Sequence, residues 1–395
     1  MATDPTIFII FQVGLLIVVS SLGSEIFKKL RLPGVIGAIL VGLFIGGPGG
    51  LGLVTDLTVI NLLAVLGSIL ILFMTGLEFD AATFWKVGTK AFLLTTIGVA
   101  ISVGLGFSMG ILLGWTWQAA ILLGAVLAPS GTSVIAATLS SEEAVNSKFG
   151  STLITAVILD DIEGILILTV VLGVISEGTF SATNLLRVGV IATVFILASI
   201  YIGSKVFPQM IKRFERVLSD EVFFAILLGL GLILAFVSTT VGLAAVTGAF
   251  IMGAIIPHQK VGEKLANRLF MMKEIFAAVF FTSIGLVISP AGILSVLPIG
   301  ILILAVALLA RFTGGLIGGK LAGLKGRTLW TVTIGLAVRA EMSFIIAYEG
   351  VSRGVVGNDF LTLTAIAVIG SMIVVLPLFS KLIKTRESSG NSDSS

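Results

Sequence analysis

Apolar runs about as long as a bilayer is thick recur from one end of this chain to the other, and lipid leaves each of them little choice but a helix. They fall at Ile7 to Phe27, Gly34 to Gly47, Val59 to Gly76, Phe92 to Gly114, Ala119 to Leu139 with an interruption, and Thr152 to Ile175. The second half continues with Val188 to Val206, Val222 to Val237, Val241 to Ile256, Ile275 to Ile288, Ile293 to Leu316, Leu329 to Tyr348 and Phe360 to Ile383. The chain reads as an all-α polytopic membrane protein of about 13 transmembrane helices. An odd number puts the termini on opposite sides.

Basic residues test that count. Alternate connections collect twenty of the 24 lysines and arginines, from Lys28, Lys29 and Arg31 to Lys381, Lys384 and Arg386, while the opposite side holds only Arg187 and Arg353. One missed span would erase the bias, so the N-terminus is expected outside and the C-terminus in the cytoplasm of a plasma-membrane protein. The net charge of +3 is carried by those loops, and no nucleic-acid partner is expected. Without cysteine there is no disulfide or thiolate metal site, and a single His258 argues against a histidine metal centre or a Ser-His triad. Met1 to Pro5 lacks a basic segment, so no cleavable signal is expected. The connection Pro257 to Glu274 reads as a short basic amphipathic helix on the cytoplasmic surface, with His258 an interfacial residue. Residues 1–384 form the transmembrane domain, and the polar, serine-rich stretch at 385–395 is expected to be disordered.

Three carboxylates, Asp160, Asp161 and Glu163, lie inside the sixth run, where an ionisable group is a functional-site candidate. On a helix, Asp160 and Glu163 are about 60° apart while Asp161 and Glu163 point to nearly opposite sides. The acids therefore serve more than one partner, and Gly164 leaves room beside them for a backbone or an ion. The competing reading is three acids satisfied by structural partners.

One run earlier, Ala128-Pro129-Ser130-Gly131-Thr132-Ser133 interrupts the helix, because Pro129 cannot donate to the ladder and Gly131 unwinds easily. Non-helical backbone at that depth is buried or lines a wet cavity. Freed carbonyls with the Ser130, Thr132 and Ser133 hydroxyls make a hard oxygen set suited to a small cation. A second break is expected in Gly335-Leu-Ala-Val-Arg339-Ala-Glu341-Met-Ser343, seven spans later, which makes spans four to six and eleven to thirteen repeats of opposite orientation. Inverted repeats with two discontinuous helices point to a midplane transport site. Arg339 and Glu341 are expected to pair with each other. Arg311, always charged, is expected to balance Asp160, Glu163 or both, or else to snorkel to an interface.

Taken in order, several short motifs resemble the monovalent cation:proton antiporters of the KefB-like and NapA-like type. They are Leu32-Pro33-Gly with Gly42 and Gly47-Pro48, Leu72-Phe73-Met-Thr-Gly76-Leu77-Glu78, the 128–133 break, Leu159-Asp160-Asp161, Phe280-Phe281-Thr-Ser-Ile-Gly285-Leu286, and Gly335-Leu336 with Glu341. The resemblance covers about Ser24 to Leu382. It implies a NhaA/NapA-like fold and a homodimer in which a fixed dimerisation part carries a core, at about 88–176 and 293–384, that moves as an elevator. It also implies an ion-binding aspartate at Asp161 with Asp160 beside it. The expected function is exchange of Na+ or Li+ for H+ by competition at Asp161, with Asp160 and Thr132 completing the shell of the transported ion. K+/H+ exchange is the nearest alternative. Many relatives of this type carry lysine where this chain has Arg311; a guanidinium cannot release a proton, so a lysine-carrier mechanism does not transfer. No cofactor is expected, and no Walker-type loop points to ATP. An intramembrane aspartyl protease also needs two membrane carboxylates, but its dyad faces across two helices, whereas Asp160 and Asp161 are neighbours.

Overall fold

Every apolar run that falls on described residues is helical, as backbone groups in hydrocarbon require, and no strand occurs among those residues. The computed structural model describes residues 5–30, 32–46, 50–54, 57–78, 81–145, 147–176, 219–256, 260–288 and 290–389, with scattered helical positions between 183 and 205. The expected span at 188–206 and His258 therefore lie wholly or largely outside the described residues. In chain order the helices are α1 (Pro5–Lys29), α2 (Gly34–Ile45), α3 (Leu57–Glu78), α4 (Ala81–Leu112), α5 (Trp117–Val126), α6 (Thr132–Ser141) and α7 (Lys148–Ser176). They continue with α8 (Asp220–Thr240), α9 (Ala245–Ile255), α10 (Lys260–Val287), α11 (Pro290–Leu321), α12 (Gly326–Gly335), α13 (Glu341–Ser352) and α14 (Asp359–Ser389). Seven of these, α1, α3, α4, α8, α10, α11 and α14, contain stretches long and apolar enough to cross a membrane. The acidic helix α7, at 29 residues, has the length as well.

Two expectations about boundaries change. The basic stretch after Pro257 is no separate surface helix: α10 runs unbroken from Lys260 to Val287, joining the amphipathic segment to the following span. Nothing in that stretch breaks the ladder, so a helix entering the membrane continues the one lying before it. The last helix likewise continues to Ser389, past the expected end at Lys384, because Lys384-Thr-Arg386-Glu contains no stop signal.

The chain packs as two units, Met1–Ala81 with Leu168–Pro290, and Ala82–Ile167 with Ala291–Ser395. Without a hydrophobic drive between helices in lipid, close backbone approach and hydrogen bonds hold such units together. In the first unit, a Cβ on Gly42 of α2 would lie 2.1 Å from the Thr282 carbonyl oxygen, and one on Gly285 of α10 would lie 2.1 Å from the Ile39 carbonyl oxygen. The two helices thus touch backbone to backbone, and the Thr282 hydroxyl donates to the Ala38 carbonyl at 3.0 Å. Leu16, Ile45, Val54, Ile60, Val279 and Leu286 close the core beside this contact. The second unit repeats one succession twice, a long helix, a broken one and a long one: α4, α5/α6, α7 and then α11, α12/α13, α14. It contains the breaks and the acids.

Candidate ion-binding site

Five residues separate α5 from α6, and five separate α12 from α13. Unwinding frees carbonyl and amide groups that must find partners. The two breaks supply each other. The Gly131 amide donates to the Val338 carbonyl at 2.8 Å, and the Ser130 hydroxyl to the Leu336 carbonyl at 2.8 Å. Arg339 Nη1 donates to the Pro129 carbonyl at 2.8 Å, and the Ser343 hydroxyl to the Val126 carbonyl at 2.8 Å. A Cβ on Gly131 would lie 2.7 Å from Ala340 Cβ, so the chains cross in contact at a residue without a side chain. Two half-helix pairs therefore meet, and the dipole ends of each are brought to one place.

Charges stand at those ends. Arg311 of α11, 1% exposed, donates through Nη2 to the Ala128 carbonyl beyond the C-terminus of α5 and to Asp160 Oδ2, forming a buried ion pair with a carboxylate that is 0% exposed. Ser130 adds a hydroxyl to the same carboxylate oxygen. A serine has one proton to give, so its hydroxyl serves Asp160 or Leu336 in turn. At the other end, Glu341 receives the Ser133 amide at 3.2 Å and the Ser133 hydroxyl at 2.8 Å, placing an acid at the positive N-terminus of α6.

This arrangement overturns one expected pairing. Arg339 and Glu341 do not neutralise each other: Arg339 gives its guanidinium to the carbonyls of Pro129 and, at 3.2 Å, Ala307, and its amide to Ser371 Oγ at 3.0 Å. The break leaves Arg339 outside both half-helices and Glu341 in the first turn of α13, so the two side chains diverge to different helix ends. Arg311 meets Asp160 rather than Glu163, and it is buried rather than snorkelling.

Glu163 turns to α4 instead, where it accepts from the Thr95 hydroxyl at 3.0 Å and the Thr96 hydroxyl at 2.6 Å. Asp160 and Glu163, about 60° apart on α7, thus take different partners. Asp161 is buried, 5% exposed, one residue after the paired Asp160. Thr132 donates to the Val157 carbonyl at 3.3 Å, one turn before Asp161, which brings the start of α6 against the acidic helix. A Cβ on Gly164 would lie 3.2 Å from Pro129 Cβ, so the space beside the acids admits the proline of the break. Sequence reasoning missed Thr95, Thr96 and Ser371. The adjacent threonines in an apolar run were the available signal, but nothing local said which helix they would meet.

Asp160 Oδ1 and Glu163 Oε2 are buried and accept no hydrogen bond. Each of these oxygens keeps the capacity to accept a further donor. Among the described residues no cluster of three or more His, Cys, Asp or Glu could hold a resident metal.

A family model described as "Sodium/hydrogen exchanger, transmembrane" matches residues 14–381. A Na+/H+ antiporter of Enterococcus hirae is 27% identical over 375 residues, 93% of this chain and 97% of its own. The K+/H+ antiporter subunit KhtU of Bacillus subtilis is 24% identical, over 88% of this chain and 87% of its own. Among solved structures, the sodium proton antiporter MjNhaP1 from Methanocaldococcus jannaschii superposes with a TM-score of 0.81, covering 96% of this chain and 98% of its own at 17% identity. That last likeness speaks for the fold alone.

Proposed function

The chain belongs to the transmembrane sodium/hydrogen exchanger family, and from that premise we propose that this cation:proton antiporter exchanges Na+ or Li+ for H+ at Asp161. The observation that carries the reading is the buried Asp160–Arg311 pair. Two adjacent membrane acids stand beside the crossed breaks, and the charge of one is already met by a guanidinium that never gives up its proton. We assign the exchanging carboxylate to Asp161, which is buried one residue further along the same helix. It holds a proton or a dehydrated Na+ but not both, and Thr132, Ser130 and nearby carbonyls complete the shell.

Competition at one site enforces exchange. With an ion bound the site is neutralised and can cross; a bare carboxylate in hydrocarbon is costly, so the empty carrier stays where it is. Ser133 belongs to the supporting set, holding Glu341 at the end of α6. We assign the elevator movement to the unit containing the crossing and the anchoring of a homodimer to the other. The proposed topology has thirteen spans in the plasma membrane, with inverted repeats at spans four to six and eleven to thirteen, the N-terminus outside and the C-terminus in the cytoplasm. Potassium is the second reading, favoured by the relative named as a K+/H+ antiporter subunit.

Proteoliposomes loaded with a pH-sensitive dye test both. Addition of Na+ or Li+ to the wild-type protein produces proton efflux, and K+ produces less. Asp161→Asn abolishes the signal for every cation while the protein remains monodisperse in detergent. Retained exchange in that variant sinks the assignment, and a larger response to K+ than to Na+ replaces the substrate.

A further inference from the structure

Arg311 reaches Asp160 by lying over a residue that has no side chain. A Cβ on Gly98 of α4 would lie 2.7 Å from Arg311 Nη1 and 3.9 Å from Cζ, and it would meet nothing else within 4 Å beyond its own helix. Three residues on from Arg311, a Cβ on Gly314 would lie 2.6 Å from Gly98 Cα, so α4 and α11 touch backbone to backbone one turn from the root of the arginine. No corridor for a guanidinium exists between helices this close unless one residue leaves a gap. The Gly98 carbonyl is taken by the Ser102 hydroxyl at 2.8 Å, so shape rather than a hydrogen bond makes the seat. Gly98 thus differs from Gly42 and Gly285, whose missing side chains admit a neighbouring backbone.

We propose that Gly98 is a positioning residue for the exchange reaction: its bare face seats the Arg311 guanidinium so that Nη2 is aimed at Asp160 and the Ala128 carbonyl, which keeps Asp160 engaged and out of the ion's shell. The inference rests on the antiporter reading above. A methyl group at position 98 forces the guanidinium back by roughly 1 Å to regain an ordinary contact of ~3.5 Å. Arg311 is buried on all sides and cannot yield toward solvent. A shift of that size spoils hydrogen bonds, which weaken steeply away from their preferred geometry. Asp160, released from its partner, then becomes a second carboxylate for the cation.

The test uses full-length Gly98→Ala, Arg311→Lys and the double variant in proteoliposomes, with NaCl as the probe, and compares their thermal stability in detergent. In Gly98→Ala the half-saturating Na+ concentration falls at least threefold. An unchanged or higher value, with only the maximal rate reduced, would mean a helix-packing glycine and overturns the proposal. Lysine has no Nη1, so in the Arg311→Lys background the alanine changes half-saturation less than twofold; the full shift in that background also overturns it. Should Gly98→Ala yield no folded protein, recovery of folded protein in the double variant supports the seat, and continued loss refutes it. Stability gives a readout independent of transport: the alanine lowers the melting temperature only when Arg311 is present. Absence of exchange by the wild-type protein would defeat the antiporter reading, while this stability coupling would still decide the role of Gly98.

Discussion

Arg311→Met removes the partner of a carboxylate that has no access to water. Asp160 is 0% exposed, its Oδ1 accepts no hydrogen bond, and only the Ser130 hydroxyl remains on Oδ2. Breaking a buried ion pair on one side leaves an uncompensated charge and costs about 3–5 kcal/mol. The Ala128 carbonyl loses its donor in the same step, adding on the order of 1 kcal/mol. With each ~1.4 kcal/mol a factor of ten, the unfolding equilibrium moves by at least about a hundredfold. Methionine fills nearly the same volume, so packing loss contributes little. Removing both charges is different: Asp160→Asn with Arg311→Met leaves no buried ion, and most of the loss is recovered. Reversible unfolding in mixed micelles, followed by tryptophan fluorescence, measures Arg311→Met, Asp160→Asn and the double variant, and from them the coupling between the two sites. A single variant within about 1 kcal/mol of the parent would show that the pair carries no net charge burial, and the reasoning that sets Asp160 apart from the ion site would fall with it.

Two further perturbations test other parts of the structure. The Thr95→Val/Thr96→Val double variant strips Glu163 of both hydroxyl donors and destabilises by about 2–4 kcal/mol, whereas the same two changes beside Glu163→Leu cost little; equal losses in both backgrounds would break the link between α4 and Glu163. Gly42→Val drives a branched side chain into the Thr282 carbonyl of α10 and abolishes monodisperse protein, since helix backbones cannot separate by small steps, and normal yield of this variant would contradict the close contact of α2 with α10.

The legibility of the breaks is uneven. Proline pointed correctly to the first, at Pro129. Yet Pro298 and Pro377 sit inside α11 and α14, which continue through them, and the second break at 336–340 has no proline at all. A proline in a helix interior costs about 3 kcal/mol. Whether the helix then opens depends on what receives the freed groups. At 336–340 the other break receives them, through Gly131, Ser130 and Arg339. The order of the runs, rather than any local signal, revealed that break.

Hydropathy and residue type are properties of the chain alone, so the helical membrane class, the buried acids and the two interruptions could be read from the amino acids in order. The choice of partner could not. Arg311 had two acids within plausible reach and Arg339 had one, yet the first took Asp160, and the second ignored Glu341 for the carbonyls of Pro129 and Ala307. Buried charges are satisfied by whichever groups the packing of distant helices brings within hydrogen-bond distance, and that packing turns on contacts such as Gly98 against Gly314, more than two hundred positions apart.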